Sequence, residues 1–144
     1  MGKKRVVKKT GGEKASGTKT ASKVSKKRFA SGTLHIQSTY NNTRVSLTDK
    51  DGNLLASSSC GALGFKGAKK GTPFAAAKAG ELIGDKALNV GIKEVNVIVK
   101  GVGAGRESAI RGFLSTSGNA ELSAIKDVTP VPHNGPKPKK PRRV

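Results

Sequence analysis

Apolar and polar residues alternate in two short runs early in the chain, TLHIQST at 33–39 and TRVSLTD at 43–49. A period of two is typical of a β-strand with one buried face, and LLASSS at 54–59 follows as a third extended run. The residues between these runs, YNN at 40–42 and KDGN at 50–53, are turn formers that tolerate positive φ. The pattern therefore predicts a three-stranded antiparallel meander.

The second half of the chain begins with a helical pattern. Thr72 followed by Pro73 is typical of a helix start, because the hydroxyl caps free N–H groups and proline fits the first turn. The Ala-rich stretch that follows predicts a helix over 73–88, which ends near Asn89 and Gly91. Further along, the pattern predicts a strand at 94–99, a helix at 106–117 and a strand at 122–128.

The order of these elements, βββαβαβ, defines the expected fold class. Two crossover helices imply parallel pairing of the later strands, whereas the meander is antiparallel. We therefore predict an α/β fold in which a mixed five-stranded sheet packs with two helices. Because the chain has four Phe, one Tyr and no Trp, its core must consist mainly of Val, Leu, Ile and Ala.

The charge is divided unevenly along the chain. Residues 1–28 contain 11 Lys and Arg against one acid, and residues 133–144 contain five and no acid, so that residues 29–132 account for only +4 of the net +19. Such arms cannot bury apolar surface, so we expect them to be disordered until they bind a polyanion, with counterion release supplying affinity. The expected organisation is a basic arm at 1–31, an α/β body at 32–129 and a Pro-, Lys- and Arg-rich tail at 130–144.

Composition argues against membrane, secreted and metal-binding classes. Neither arm has an amphipathic apolar face or a lipidation motif, and no apolar run is long enough to span a bilayer. The N-terminus lacks the apolar core of a secretory signal. Cys60 is the only cysteine, and His35 and His133 have no ligand spacing around them. We therefore expect no disulfide, no metal and no cofactor, in a cytoplasmic protein.

The stretch VIVKGVGAGRES at 97–108 is the strongest candidate for phosphate binding. It does not match a dinucleotide-binding loop, which needs glycine where Arg106 stands, or a Walker A loop, which also needs lysine where Glu107 stands. The pattern alone therefore favours a tight strand-to-helix turn that uses the conformational freedom of glycine. A small-molecule substrate is not expected.

Basic side chains around this loop favour a role in binding phosphate. Lys100 and Arg106 flank the glycines, Arg111 lies further along the helix, and arginine offers phosphate a planar set of donors. The loop CGALGFKGAKKG at 60–71 combines glycines with lysines in the same way. Two such loops and two basic arms suit a long nucleic-acid backbone better than one small cofactor.

The residues do not support a catalytic role. A mixed sheet that begins with three antiparallel strands also occurs in ribonuclease H-like nucleases, but those enzymes need metal-binding carboxylates, the first on strand one. The first strand here, TLHIQST, has none. Cys60 has no evident base, and the sequence identifies no partner for Asp127. We therefore expect that the protein is not an enzyme.

Five motifs occur in order between about residue 32 and residue 144: YNNT, GFKG with KKGTPFAA, KGVGAGRESA, DVTPVPHNG and KKPRRV. Together they resemble the bacterial form of the small-subunit ribosomal protein eleven family. The resemblance implies a ribonuclease H-like fold without catalysis, in a protein that binds 16S-type rRNA on the small-subunit platform. It also implies ribosomal proteins seven and eighteen as neighbours and proximity to the Shine–Dalgarno region of the mRNA.

The residues predicted to bind rRNA come from two sources. The charge and glycine patterns indicate Arg28, Lys100, Gly103 and Arg111, together with Arg106 and the loop lysines Lys66, Lys69 and Lys70, which the resemblance also indicates. The resemblance adds positions in the first turn, the two loops and the tail, namely Asn41, Asn42, Thr43, Lys66, Gly67, Lys69, Lys70, Gly105, Arg106, Glu107, Ser108, His133, Asn134, Lys137, Lys139, Lys140, Arg142 and Arg143.

The chain departs from the family pattern in two places. Val102 and Ala104 stand where the family usually has prolines, so the glycine loop is expected to be freer before binding. The tail HNGPKPKKPRRV lacks a cysteine of the usual family tail and has shifted prolines, but it keeps the charge and the extended proline geometry.

These observations predict a structural, non-catalytic rRNA-binding protein of the small ribosomal subunit. A rigid body would present phosphate-binding turns, and the arms would fold onto RNA during assembly. The alternative is a nonspecific nucleic-acid-binding or chaperone protein that acts through its basic arms alone.

Overall fold

The structure is a computed structural model that describes residues 28–143, and the predicted N-terminal arm up to residue 27 lies outside this range. The strands are β1 (Ser31–Ser38), β2 (Thr43–Thr48), β3 (Leu54–Ser59), β4 (Glu94–Lys100) and β5 (Glu121–Asp127). The α-helices are α1 (Pro73–Val90) and α2 (Arg106–Thr116), and a short 3₁₀ helix spans Gly67–Gly71. The predicted order βββαβαβ is confirmed, with boundaries within two residues, while the 3₁₀ helix is an element that the pattern did not indicate.

The sheet has the strand order β3-β2-β1-β4-β5, with β1 at its centre. The pairs β1–β2 and β2–β3 are antiparallel, and the pairs β1–β4 and β4–β5 are parallel. The predicted mixed five-stranded sheet is therefore confirmed. Because four strands point the same way, the carboxyl ends of β1, β3, β4 and β5 meet at one edge of the sheet.

One face of the sheet forms the core against both helices. Leu34 and Ile36 of β1, Val45 of β2 and Val97 of β4 are at most 1% exposed and belong to one cluster with the alanines of α1. As predicted, this core consists mainly of Val, Leu, Ile and Ala, and Phe113 of α2 is its largest fully buried side chain. The alternating polar residues of the strands lie on the other face, which neither helix covers.

The two α-helices pack closely because glycines line their interface. A Cβ atom at Gly80 would clash with the carbonyl of Ala109, and one at Gly112 would clash with the carbonyl of Ala77. The distance between packed helices depends on the side chains at the contact, so these glycines let the two backbones touch. Neither α1 nor α2 combines the length and the apolar character that a bilayer-spanning helix needs.

Local signals determine most of the element ends. The Thr72 hydroxyl accepts a backbone N–H of the first turn of α1 at 3.3 Å, and Gly91 ends the helix in the left-handed conformation with φ of 83°. Both predicted helix ends are confirmed. The β1–β2 turn differs from expectation, because none of residues 39–42 has positive φ. Instead the Thr39 hydroxyl closes the turn, accepting the N–H of Asn42 at 3.1 Å and donating to its carbonyl at 3.0 Å.

Candidate nucleic-acid interface

Four segments that are distant in the sequence meet at the edge where β1, β3, β4 and β5 end. They are the β1–β2 turn (39–42), the loop after β3 (60–71), the glycine loop after β4 (101–105) and the end of β5 with the residues after it (127–129). Hydrogen bonds tie the glycine loop to its neighbours, since Gly103 N donates to the carbonyl of Ser38 at the end of β1 at 3.1 Å and Gly101 N donates to the Thr129 hydroxyl at 3.2 Å. We call these four segments the loop edge.

The glycines of the loop edge allow the segments to approach each other closely. A Cβ atom at Gly71 would clash with the carbonyl of Tyr40, and one at Gly103 would clash with the carbonyl of Thr39. At Gly105 a Cβ atom would clash with the side chains beneath the loop. The glycine-rich motifs are therefore explained by close packing of backbone against backbone.

The N–H groups of the three glycines in the loop after β4 are engaged within the protein. Those of Gly101 and Gly103 are used as described above, and Gly105 N donates to the Ser38 hydroxyl at 3.2 Å. A cradle for a nucleotide phosphate needs free N–H groups at this position. The geometry therefore supports the tight turn that the pattern favoured and not a nucleotide-binding loop.

Arg106 connects the start of α2 to the end of β5. Its Nη1 donates to the Gly101 carbonyl at 2.7 Å, and its Nη2 donates to the carboxylate of Asp127. Asp127 also accepts hydrogen bonds from the Thr129 hydroxyl at 2.6 Å and from the Thr129 N–H at 2.9 Å. We call this arrangement of Arg106, Asp127 and Thr129 the clasp.

The clasp changes the ionisation of Asp127 and the availability of Arg106. The hydrogen bond from the Thr129 hydroxyl, followed by that from the Arg106 guanidinium, holds the pKa of Asp127 well below its usual range. The carboxylate is therefore charged at neutral pH, and it offsets part of the charge of Arg106. Arg106 was predicted to contact phosphate. The structure commits two of its donors to the protein and leaves about a third of its side chain exposed.

Four lysines carry charge that the described part of the protein does not neutralise. Lys66 and Lys69 are exposed and Lys70 is half-buried, all in the loop after β3. Lys100 is exposed at the end of β4. Within residues 28–143, none of the four forms a salt bridge. The loop edge therefore presents unpaired positive charge on a closely packed backbone.

Three predicted contact residues lie below the surface of the loop edge. Thr43, Gly103 and Gly105 are buried. The Thr43 hydroxyl is 3.3 Å from the Ser38 hydroxyl, beneath the glycine loop. These residues shape the edge from inside and present no side chain to a ligand.

The remaining predicted contact residues differ in exposure and place. Asn41, Gly67, Glu107 and Arg111 are exposed, and Asn42 and Ser108 are half-buried. In the tail, which leaves the sheet from the loop edge, the exposed residues are His133, Asn134, Lys137, Lys139, Lys140, Arg142 and Arg143. Arg28 is exposed near Gly91, at the opposite edge of the sheet, so the structure does not bring it to the loop edge.

The sequence analysis missed two residues that organise this region, Ser38 and Thr129. Ser38 is fully buried and binds both Gly103 and Gly105, while Thr129 binds Gly101 and Asp127. The alternating pattern could have indicated Ser38, because it lies on the same face of β1 as the buried Leu34 and Ile36, and a buried hydroxyl needs a hydrogen-bond partner. Thr129 had no such signal, because it lies outside regular structure and its partner Gly101 is 28 residues away in the chain.

The chain matches one known protein family over most of its length. A model of the family described as Ribosomal protein S11 matches residues 32–143, a range that includes both α-helices and all four segments of the loop edge. This is not a family of enzymes. The chain belongs to the ribosomal protein S11 family and is therefore a component of the small ribosomal subunit that acts in translation.

Proposed function

We propose that this protein binds 16S-type rRNA through the loop edge and so helps to build the platform of the small subunit, near the Shine–Dalgarno region of the mRNA. Its proposed neighbours are ribosomal proteins seven and eighteen, on cytoplasmic ribosomes. One observation carries the proposal. Four lysines, Lys66, Lys69, Lys70 and Lys100, gather at one edge with no salt-bridge partner in the described part of the chain.

The proposed mechanism combines charge with a fixed shape. Lysines supply point charges for phosphate, and counterion release adds affinity. The clasp and the glycine packing hold the loops in one arrangement, so less conformational freedom is lost on binding. Most contacts would then be to phosphate and sugar, and the folded shape of the RNA would supply the specificity.

The predicted residues take three roles in this mechanism. The lysines contact phosphate, and so does Arg106 through the donors that the clasp leaves unused. Polar contact falls to exposed or half-buried groups such as Asn41 and Ser108. Positioning falls to buried residues, of which Thr43 is an example. The exposed tail adds an extended basic segment next to the loop edge.

The test is competition binding of the full-length protein to the platform domain of small-subunit rRNA, against a scrambled RNA of equal length, at rising salt. Charge-driven binding to both RNAs weakens steeply with salt. We expect a preference for the platform RNA at salt concentrations that remove the scrambled RNA. The experiment is repeated on platform RNA preloaded with other platform proteins. If the binding curves for platform and scrambled RNA coincide in both experiments, the protein does not recognise a folded site.

Matched substitutions separate this proposal from nonspecific binding through the arms. Lys69→Gln/Lys70→Gln removes two charges from the loop edge, and Lys139→Gln/Lys140→Gln removes two from the tail. We expect the first variant to reduce the preference for platform RNA and the second to weaken binding to both RNAs alike. An effect of the tail variant alone would favour the nonspecific arm-binding alternative.

A further inference from the structure

The face of the sheet that neither helix covers carries a polar and basic array that adjoins the loop edge and extends beyond it. Strand pairing aligns its side chains in rows across the sheet. The row next to the loop edge consists of Ser59, Arg44, Gln37 and Lys100. The next row consists of Ser57, Ser46, His35, Ile98 and Lys126. We call these two rows the open face.

The charge on the open face is of one sign. Arg44, Lys100 and Lys126 are exposed cations, and neither row contains an acidic residue. The solvent-facing positions of a half-buried sheet need to be polar, but they do not need to carry charges of one sign. The stretch 29–132 has 12 basic and eight acidic residues, so composition does not impose a single sign. The array therefore favours an anionic ligand.

His35 is held in position on this face by a neighbouring hydroxyl. Its Nε2 lies 3.3 Å from the Thr48 Oγ1, and that hydroxyl donates to the Thr33 carbonyl at 3.3 Å. The contact joins the ring to a hydroxyl that is itself tied to the backbone of β1. The ring is exposed, whereas Thr48 is only 8% exposed.

A shallow depression lies beside the His35 ring. Ile98 and Val128 contribute apolar surface to it, while Gln37 contributes an amide and Lys100 a cation. Unstacked bases bind to proteins by packing on rings and apolar surface and by hydrogen bonds along their edges, with cations on the adjoining phosphates. The depression provides each of these groups within one small area.

We propose that the open face binds a single-stranded RNA segment, with one base packed in the depression beside His35 and the backbone crossing Arg44, Lys100 and Lys126. An A-form duplex keeps its bases stacked, so it has no base to place in the depression. The inference rests on the proposed function, because it adds a second surface for the same class of RNA. Arg44 and Lys126 do not belong to the loop edge and can test it separately.

The test uses the full-length protein and an unstructured RNA of about 12 nucleotides, free or annealed to its complement. Arg44→Gln/Lys126→Gln is compared with Lys86→Gln/Lys93→Gln, which removes the same charge from exposed positions off the open face. We expect the first variant to weaken single-strand binding about fivefold more than the control does. On the duplex the two variants should differ little.

The base subsite is tested at His35. His35→Ala is expected to weaken single-strand binding about fivefold or more, where fivefold corresponds to the smallest usual contribution of one stacked base. His35→Phe keeps a ring and should retain most of the affinity. Urea unfolding of each variant shows whether the fold is unchanged, which the exposure of the side chain leads us to expect.

Each contrary result overturns a defined part of the inference. If the two charge variants weaken single-strand binding equally, or if the duplex loses as much affinity, the open face is not a single-strand site. If His35→Phe is as weak as His35→Ala, no base stacks there. Failure of the proposed function is a different result, namely wild-type protein that does not prefer platform RNA over scrambled RNA.

Discussion

The two edges of the sheet differ in the balance of their charges. The loop edge carries the unpaired lysines, whereas the opposite edge mixes carboxylates such as Asp51 and Glu94 with lysines such as Lys50 and Lys93. The stretch 29–132 has a net charge of only +4, so the placement of this charge matters more than its size. A polyanion is therefore attracted more strongly to the loop edge than to the opposite edge.

The β2–β3 turn at the opposite edge and the clasp at the loop edge differ in how far along the chain their contacts reach. The β2–β3 turn closes locally, because the Asp49 carboxylate accepts the N–H of Asn53 at 2.8 Å and its side-chain amide at 2.9 Å. At the loop edge, Arg106 binds Asp127, 21 residues further along the chain. The β2–β3 turn can thus form from its own residues, whereas the clasp forms only when the sheet is assembled.

The largest expected effect comes from a methyl group placed inside the loop edge. Gly105→Ala puts a Cβ atom onto the Thr43 hydroxyl and the Ala76 methyl, neither of which can swing away. We expect a loss of about 2–4 kcal/mol in the free energy of unfolding, measured by urea denaturation. The control is Gly61→Ala, where the nearest contact is the Lys70 Cδ at 3.6 Å. Equal losses would show that the loop edge is not closely packed.

The next effect separates the two edges by their charge. Lys66→Gln/Lys69→Gln/Lys70→Gln is expected to lower the affinity for platform RNA by about tenfold at moderate salt. It should also reduce the slope of log affinity against log salt by about 2, since each lost phosphate contact contributes 0.7–0.9. Binding isotherms at several salt concentrations measure both. The control Lys50→Gln/Lys86→Gln/Lys93→Gln removes the same charge near the opposite edge, and an equal effect there would contradict polarised binding.

The third prediction compares the pH dependence of stability due to Asp127 at the loop edge with that due to Asp49 at the opposite edge. Asp127 and Asp49 both have pKa values below the usual 3.8, through hydrogen bonds led by Thr129 and by Asn53 respectively. A folded pKa below the unfolded one adds stability above about pH 4, and this is lost as the pH falls through the folded pKa. Asp127→Asn and Asp49→Asn should each flatten the acid decline in urea stability.

RNA affinity then distinguishes the two carboxylates. Asp127→Asn breaks the clasp and should reduce the preference for platform RNA over scrambled RNA, whereas Asp49→Asn should leave that preference unchanged. A variant without the clasp that keeps full preference would show that the clasp does not position the loop edge.

The smallest effect is expected at an exposed pair on α2. Glu107 and Arg111 approach to 3.6 Å with more than 80% of each side chain exposed, so Glu107→Gln should change the free energy of unfolding by less than about 1 kcal/mol. Urea denaturation checks this. A larger loss would mean that the start of α2 depends on Glu107 as strongly as on the clasp.

The structure brings together most of the segments that the sequence singled out, but not every predicted residue. The first turn, both loops and the tail all lie at the loop edge, but Arg28 lies at the opposite edge and Thr43 faces inward. That Val102 and Ala104 make the glycine loop freer than prolines would remains a prediction, while the structure shows hydrogen bonds from its glycines to β1 and to Thr129. A motif identifies a segment, whereas the direction of a side chain depends on what packs against it.

The sequence by itself determined the order of the elements, the helix ends at Thr72 and Gly91 and the division of charge along the chain. Alternation, capping and charge density depend only on residues a few positions apart, so they are visible without a fold. Only the tertiary structure decided the strand order, the pairing of Arg106 with Asp127 and the alignment of Arg44 with Lys100 across β1. These contacts join residues far apart in the chain, and they follow from which strands become neighbours once the apolar face is buried against the helices.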